Sequence, residues 1–174
     1  KHDEKTFARP WAIPGTPGLE HRIGGLEKWD VTGNISYDPA NHQHMSELRA
    51  AKIESMVVPD LKLDGPESGD LLIVSWGGTY GSVLTAAKEV RETDGATVSV
   101  GHLRYLNPFP KNLEAVMGRF KKILVPELNL GQLNFLLRAK FLVETVSYPK
   151  IQGRPFQVGE LTSKIREILG DTNG

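Results

Sequence analysis

Lys122-Ile123-Leu124-Val125-Pro126-Glu127-Leu128-Asn129-Leu130-Gly131-Gln132-Leu133 reads as a buried strand, a tight polar turn and the first residues of a helix. Ile123, Leu124 and Val125 are consecutive apolar residues, two of them β-branched, which suits a strand covered on both faces. Pro126 has no N–H to donate, so the sheet ladder is expected to stop there. Asn129 and Gln132 have the capping-box spacing, just ahead of the apolar Leu133, Leu136 and Leu137. Glu127 is thereby left at the carboxyl end of a central strand, beside a helix N-terminus. In open α/β sheets ligands and partners are met at that place. A helix N-terminus stabilises a carboxylate in its ionised form, so Glu127 is expected to act as an anchor rather than a general acid.

The same alternation extends in both directions from this stretch. Upstream, Leu71 to Trp76 is a near-continuous apolar strand, and Thr79 to Asp94 is a helix with Tyr80, Val83, Ala87 and Val90 on one face. Gly95 stands just past its end. Thr97 to Leu103 is a second strand. Pro110 to Phe120 is a helix with Leu113, Val116, Met117 and Phe120 at core spacing. Downstream, the helix begun at Gln132 runs to about Phe141, and Val143 to Tyr148 is another strand. A last helix turns Leu161, Ile165, Ile168 and Leu169 inward and ends at Gly170. Strands alternating with helices imply βαβ units, a mostly parallel sheet and helices on both faces.

Before the break at Asp64-Gly65-Pro66-Glu67-Ser68-Gly69-Asp70 the chain has a different character. Residues 1 to about 40 are interrupted by Pro10, Pro14, Pro17, Gly15, Gly18, Gly24, Gly25 and Gly33, yet carry Trp11 and Trp29. They read as an ordered arm that packs against something. Asp38-Pro39 marks a helix start, with Asp38 as N-cap and Pro39 at the first helical position. Met45, Leu48, Ala51 or Lys52, and Ile53 keep a helical period to about Met56. His42 and His44 stand two apart on this helix and so point to different faces, as solvated surface groups rather than a shared metal site.

Composition narrows the function classes. The 174 residues carry 21 lysines plus arginines against 21 aspartates plus glutamates. A neutral chain without a basic run offers little attraction to nucleic acid or an anionic membrane. The sequence contains no cysteine, which rules out disulfides, a thiol nucleophile and cysteine-ligated zinc or iron–sulfur clusters within it. Lack of cysteine fits a reducing cytoplasm. No apolar run is long enough to span a bilayer, and no signal-peptide pattern opens the chain. Lys1 in place of methionine suggests a piece of something longer.

Two further turns carry residues suited to chemistry. Ser75-Trp76-Gly77-Gly78-Thr79-Tyr80-Gly81-Ser82 joins strand to helix through glycines, as a phosphate cradle does. A dinucleotide fingerprint beginning at Gly77 would need glycines where Thr79 and Ser82 stand, and no P-loop lysine follows. A tight structural turn is expected instead. At the end of the second strand, Arg104 suits an anionic ligand or an ion pair with Glu127 from the neighbouring strand end. The ion pair is preferred. His102 has no obvious serine, cysteine or aspartate partner by spacing and is expected to sit at a core or rim.

Taken together, Gly77-Gly78-Thr79-Tyr80-Gly81, His102 to Pro110, Val125 to Leu133 and Gln152-Gly153-Arg154-Pro155-Phe156 resemble the alpha subunit of 2-oxoacid:ferredoxin oxidoreductases, in particular the 2-oxoglutarate type. Pro14 to His21 and Ser36-Tyr37-Asp38-Pro39 resemble that subunit's middle region. The resemblance implies that residues 1–60 are an arm and linker helix from the tail of a thiamine-diphosphate-type domain. Residues 61–174 would then be a three-layer α/β/α domain like the C-terminal domain of transketolase, usually with one antiparallel edge strand. It further implies a beta subunit that supplies most binding of thiamine diphosphate and Mg²⁺ and the iron–sulfur ligands. The complete enzyme would convert a 2-oxoacid and CoA to an acyl-CoA and pass electrons to ferredoxin. Because most of the first domain is absent, the resemblance assigns no catalytic, cofactor-binding or metal residue here. Gly77, Gly78, Thr79, Tyr80, Gly81, Arg104, Glu127, Asn129 and Gln132 are expected to shape turns or a subunit interface, and a homodimer is compatible with it. Two other readings stay open: a free-standing module that binds a small anion at these turns, and the corresponding domain of another thiamine-dependent dehydrogenase.

Overall fold

The computed structural model describes residues 1–170, and the chain divides after Val57 into two compact units. In the first, an irregular arm is closed by a single antiparallel bridge between Lys28 and Ile35 and leads into helix α1 (Pro39–Glu54). As the sequence predicts, the Asp38 side chain accepts from Asn41 N at 2.8 Å and Pro39 opens the helix. Little of α1 is buried: only Asn41 and Met45 are fully enclosed, and Ile53, read as inward, is exposed. The arm also leaves Trp11, Ile13, Ile23 and Tyr37 exposed. Its order comes from polar ties instead. Arg49 and His42 converge on Glu27, while Arg9 and His44 converge on Asp30. His42 and His44 thus serve different carboxylates, and no cluster of metal-ligating side chains occurs among the described residues.

The second unit is a five-stranded sheet in the order β1-β3-β2-β4-β5. Its strands are β1 (Leu63–Asp64), β2 (Gly69–Trp76), β3 (Val98–Leu103), β4 (Phe120–Glu127) and β5 (Val146–Pro149). All pairings are parallel except that of β1 with β3, which is antiparallel at the edge. Four helices cover the sheet: α2 (Tyr80–Asp94), α3 (Leu113–Met117), α4 (Gln132–Phe141) and α5 (Val158–Gly170). This is the three-layer α/β/α architecture with a mostly parallel sheet.

Strand alternation divides the core between the two faces. Leu71, Ile73 and Leu124 meet Val83, Ala87 and Val90 of α2 and Leu161, Ile165 and Ile168 of α5. Leu72, Val74, Ile123 and Val125 meet Leu113 and Met117 of α3 and Leu133 and Leu137 of α4. Central strands buried on both sides read as continuous apolar runs for this reason. Gly95 ends α2 in the left-handed conformation at φ 66°, which an L side chain resists.

Several sequence expectations shift. The helix predicted over 110–120 contracts to Leu113–Met117, because Phe120 pairs with Gly69 as the first residue of β4. Tyr80, expected on the inner face of α2, is half exposed, and Ala86 takes the inward place. The last helix buries Thr162 beside Leu161, Ile165 and Ile168, with Leu169 partly buried. The two-residue strand β1 is too short to show a period, so only the resemblance implies the antiparallel edge strand that it forms. The ladder does not stop at Pro126 on both sides. Pairing with β2 ends at Leu124, whereas pairing with β5 continues through Pro126 to Glu127. Proline is tolerated where it faces only one partner strand.

Candidate functional site

The chain leaves β2 over one face, through α2, and leaves β4 over the other, through α4. The carboxyl ends of β2 and β4 therefore flank the switch point at which open α/β sheets ordinarily take ligands. Here the two strands stop pairing at Ile73 and Leu124 but run on to Trp76 and Glu127. Their own side chains fill the gap. The Trp76 indole Nε1 donates to Glu127 Oε1 at 3.2 Å, and Glu127 is 0% exposed.

Glu127 also builds the start of α4. Its Oε1 accepts from Leu133 N at 2.8 Å and Asn129 Nδ2 at 3.1 Å, and its Oε2 accepts from Asn134 N at 2.9 Å. Asn129 Oδ1 accepts from Gly131 N at 2.8 Å and Gln132 N at 3.0 Å. The four backbone N–H groups that a helix start leaves without partners are thus all satisfied by two side chains. Every partner of Glu127 is a donor, as an acceptor-only carboxylate requires. This differs from the predicted capping box. The N-cap is Gly131, two residues after Asn129, and Gln132 takes part through its backbone N–H. Gly131 is needed at φ 91°, and a Cβ there would lie 3.0 Å from Ser147 Oγ.

The expected ion pair between Arg104 and Glu127 is absent. Strand β2 stands between β3 and β4, so Arg104, exposed beyond the end of β3, is not on a neighbouring strand. Its guanidinium instead acts on His102: burial first, then Arg104, lowers the His102 pKa, which favours the neutral imidazole. His102 does have a serine partner, contrary to the reading by spacing. Ser75 and His102 face each other in the β2–β3 register, with Ser75 Oγ 2.9 Å from His102 Nδ1. Tyr80 packs on the imidazole at 4.7 Å between ring centroids. Ser75 is fully buried, so its hydroxyl cannot reach a substrate. The only sequence signal for this pair is that each residue stands next to last in an apolar strand, and that signal names no partner.

The glycine turn is structural in its contacts. Gly77, Gly78 and Thr79 form one 3₁₀ turn, with Gly77 at φ 59°. Thr79 Oγ1 donates to Trp76 O at 2.8 Å, and Ser82 Oγ donates to Phe156 O at 2.7 Å. The two residues that spoil the dinucleotide fingerprint are the ones that hold the turn and the Gln152–Phe156 segment in place. Gly81 has open space around it.

No family model matches the chain. Among curated proteins it is 50% identical over 168 residues to the 2-oxoglutarate oxidoreductase subunit KorA of Mycobacterium tuberculosis, a match covering 96% of this chain and 26% of that protein. The chain is homologous to a segment of the 2-oxoacid:ferredoxin oxidoreductase alpha subunits. The alpha subunit of 2-oxoacid:ferredoxin oxidoreductase 1 from Aeropyrum pernix is 31% identical over 157 residues, covering 80% of this chain and 23% of that one. Among solved structures, the 2-oxoglutarate:ferredoxin oxidoreductase of Magnetococcus marinus, with 2-oxoglutarate, coenzyme A and succinyl-CoA bound, superposes with a TM-score of 0.86. The two are 30% identical over 97% of this chain and 30% of that one. The chain spans about a quarter of the length of the first of these relatives. No described helix of it is long and apolar enough to cross a membrane.

Proposed function

We propose that this chain is the C-terminal structural and interaction portion of the alpha subunit of a 2-oxoacid:ferredoxin oxidoreductase, with 2-oxoglutarate as the 2-oxoacid. In this reading residues 1–60 are the arm and linker helix from the tail of a thiamine-diphosphate-type domain, and residues 61–174 are the domain that follows it. The complete cytoplasmic enzyme converts the 2-oxoacid and CoA to an acyl-CoA and delivers electrons to ferredoxin. The observation that carries the proposal is the 50% identity to KorA over 96% of the chain.

Thiamine diphosphate, Mg²⁺ and the iron–sulfur cluster belong, in this reading, to parts of the enzyme outside these residues, the beta subunit above all. This chain's own residues do not fit those groups. It has no cysteine to ligate a cluster, and its described carboxylates and histidines gather no metal set. Trp76 and Glu127 occupy the crevice that a diphosphate would need. What the domain offers an assembly is a rigid carboxyl edge. The turns at Gly77–Gly81 and at Glu127, Asn129 and Gln132, with Arg104 exposed nearby in sequence to His102, are its candidate contact positions. Pairing of two such chains is part of the same reading.

Two assays test this. The purified chain, mixed with 2-oxoglutarate, CoA, thiamine diphosphate, Mg²⁺ and an electron acceptor, is expected to give no turnover, and robust turnover overturns the structural role. A chimaera in which this chain replaces the matched segment of the Mycobacterium tuberculosis KorA, made with the other subunit of that enzyme, is expected to turn over 2-oxoglutarate. A folded, assembled chimaera without turnover overturns the proposed identity.

A further inference from the structure

The ion pair expected of Arg104 does not form, which leaves the other use of this side chain, an anionic ligand. Among the described residues the Arg104 guanidinium has no ion pair and no hydrogen bond. Cations at the opposite, amino edge of the sheet differ. There Arg91 meets Asp64 at 2.6 Å, Arg119 meets Glu67 at 3.1 Å, Lys121 meets Asp70 at 2.8 Å and Arg166 meets Asp94 at 2.7 Å. The segments that follow β2, β3, β4 and β5, residues 77–79, 104–112, 128–131 and 150–157, contain Arg104, Lys111, Lys150 and Arg154 but no aspartate or glutamate. Lys150 is answered by Glu160, and Glu127, at the same edge, is buried among its own donors. The potential at the carboxyl edge is therefore positive, and no described carboxylate competes there for Arg104.

Arg104 stands beside His102, whose ring is fixed on two sides. Ser75 Oγ lies 2.9 Å from Nδ1, and Tyr80 packs on the ring at 4.7 Å between centroids. Ser75 is 0% exposed, and His102 is the one hydrogen-bond partner of its hydroxyl among the described residues. A buried hydroxyl hydrogen without an acceptor is costly, whereas a spare oxygen lone pair is tolerated, so the hydroxyl donates to Nδ1. Burial, and next the Arg104 charge, favour the neutral imidazole. Its single ring proton then resides on Nε2, on the side of the ring away from Ser75. Continued by one residue, the β2–β3 register sets Gly77 opposite Arg104, and space is open where a side chain at Gly77 or Gly78 would stand.

We infer that His102 Nε2–H and the Arg104 guanidinium form a site for one oxyanion group of a small molecule, a phosphate or a carboxylate, at the carboxyl end of β3. A guanidinium offers parallel donors to two oxygens, and the imidazole N–H supplies another. One cation with one fixed neutral donor matches a single oxyanion rather than a polyanion. A neutral ring also adds its donor without a second positive charge beside Arg104. His102 is half-buried while Arg104 and Tyr80 are exposed, so the oxyanion is met below a rim, where a free small molecule enters more readily than a carboxylate tethered to a folded partner. Ser75 and Tyr80 are positioning residues, which touch His102 and not the ligand. The inference goes beyond the proposed assembly role and does not depend on it. Its test reads proton position and binding, so it fails independently of the turnover assays.

Long-range proton–nitrogen NMR of the isotope-labelled 174-residue chain reads the tautomer of each of its five histidines, with His102 assigned from the signal lost in His102→Gln. His102 is expected to be the Nε2–H tautomer at neutral pH. Inorganic phosphate and acetate, titrated separately at constant ionic strength, are expected to move the His102 signals saturably in at least one case. Phosphate alone would name a phosphoryl ligand, acetate alone a carboxylate, and both an oxyanion site open to either. Arg104→Gln is expected to raise the dissociation constant about tenfold or more, and Arg154→Gln to leave it unchanged. Ser75→Ala, folded by circular dichroism, is expected to show both tautomers and weaker binding. Should Ser75→Ala not fold, Arg104→Gln, at an exposed position, carries the test. An Nδ1–H tautomer at His102, no saturable shift with either anion, or a shift that survives Arg104→Gln overturns the inference. Equal loss in Arg154→Gln makes the response one of general charge and overturns it too. A folded Ser75→Ala chain with one tautomer and unchanged affinity overturns the positioning role.

Discussion

Removing the Glu127 carboxylate would strip four donors of their acceptor: Trp76 Nε1, Asn129 Nδ2 and the N–H groups of Leu133 and Asn134. Leu133 N is buried and the others lie at least partly out of reach of water, so Glu127→Ala should cost about 3 kcal/mol or more in urea unfolding. Asn129→Ala should cost less, about 1 kcal/mol, because the N–H groups of Gly131 and Gln132 lie nearer solvent. If Asn129→Ala left unfolding unchanged while assembly failed, Asn129 would be a contact residue rather than a cap. The position of Glu127, at a strand end before a helix, was legible from the apolar pattern around it. Its partnership with Trp76 was not, since 51 residues separate the two and only the register of β2 and β4 brings them together. His102 makes the same point. Ser75 meets it 27 residues away through the β2–β3 pairing, where spacing along the chain gave no hint of a partner.

At the scale of elements, the arm is held by charge rather than by a core, and this makes it sensitive to acid. Arg49, then His42, hold the Glu27 carboxyl at a pKa of about 2. His44, and next Arg9, lower that of Asp30. A carboxylate whose folded pKa is depressed contributes its stability in full above its ordinary value and loses it as pH falls through the folded value. Amide exchange across residues 27–35 should therefore lose protection between the ordinary carboxylate range and about pH 2, and Arg49→Ala should move that loss to higher pH. Both carboxylates are at the surface, so added salt should weaken the same protection. A protection profile flat across this window would mean that the Lys28–Ile35 bridge and the Asn41 contact to Lys28 O hold the arm without the ion pairs. Helix α1 buries less of its inner face than its period predicts. Periodicity marks which residues share a side, but it does not say how much protein will lie against that side, and only Asn41 and Met45 are enclosed.

For the whole molecule, the contrast between an irregular unit ending at Val57 and a sheet sandwiched between helices predicts where the backbone yields first. Limited trypsin digestion should cut at exposed arm positions such as Arg22 and leave a resistant product that retains Val58 onward, detectable by intact-mass measurement. Early cleavage inside β2 to β4 would contradict that expectation. The sequence by itself determined the identity of the main elements, the mostly parallel sheet and the strand–turn–helix at Glu127, because period, caps and turn residues act within a few residues of one another. Strand order lay outside its reach. It follows from the way the crossovers pack on the two faces, and it set β2 between β3 and β4. That placement separated Arg104 from Glu127, closed the switch point with Trp76 and joined Ser75 to His102. Each depends on contacts between residues far apart in the chain, and burial of the two sheet faces, not any local pattern, decides which of those contacts form.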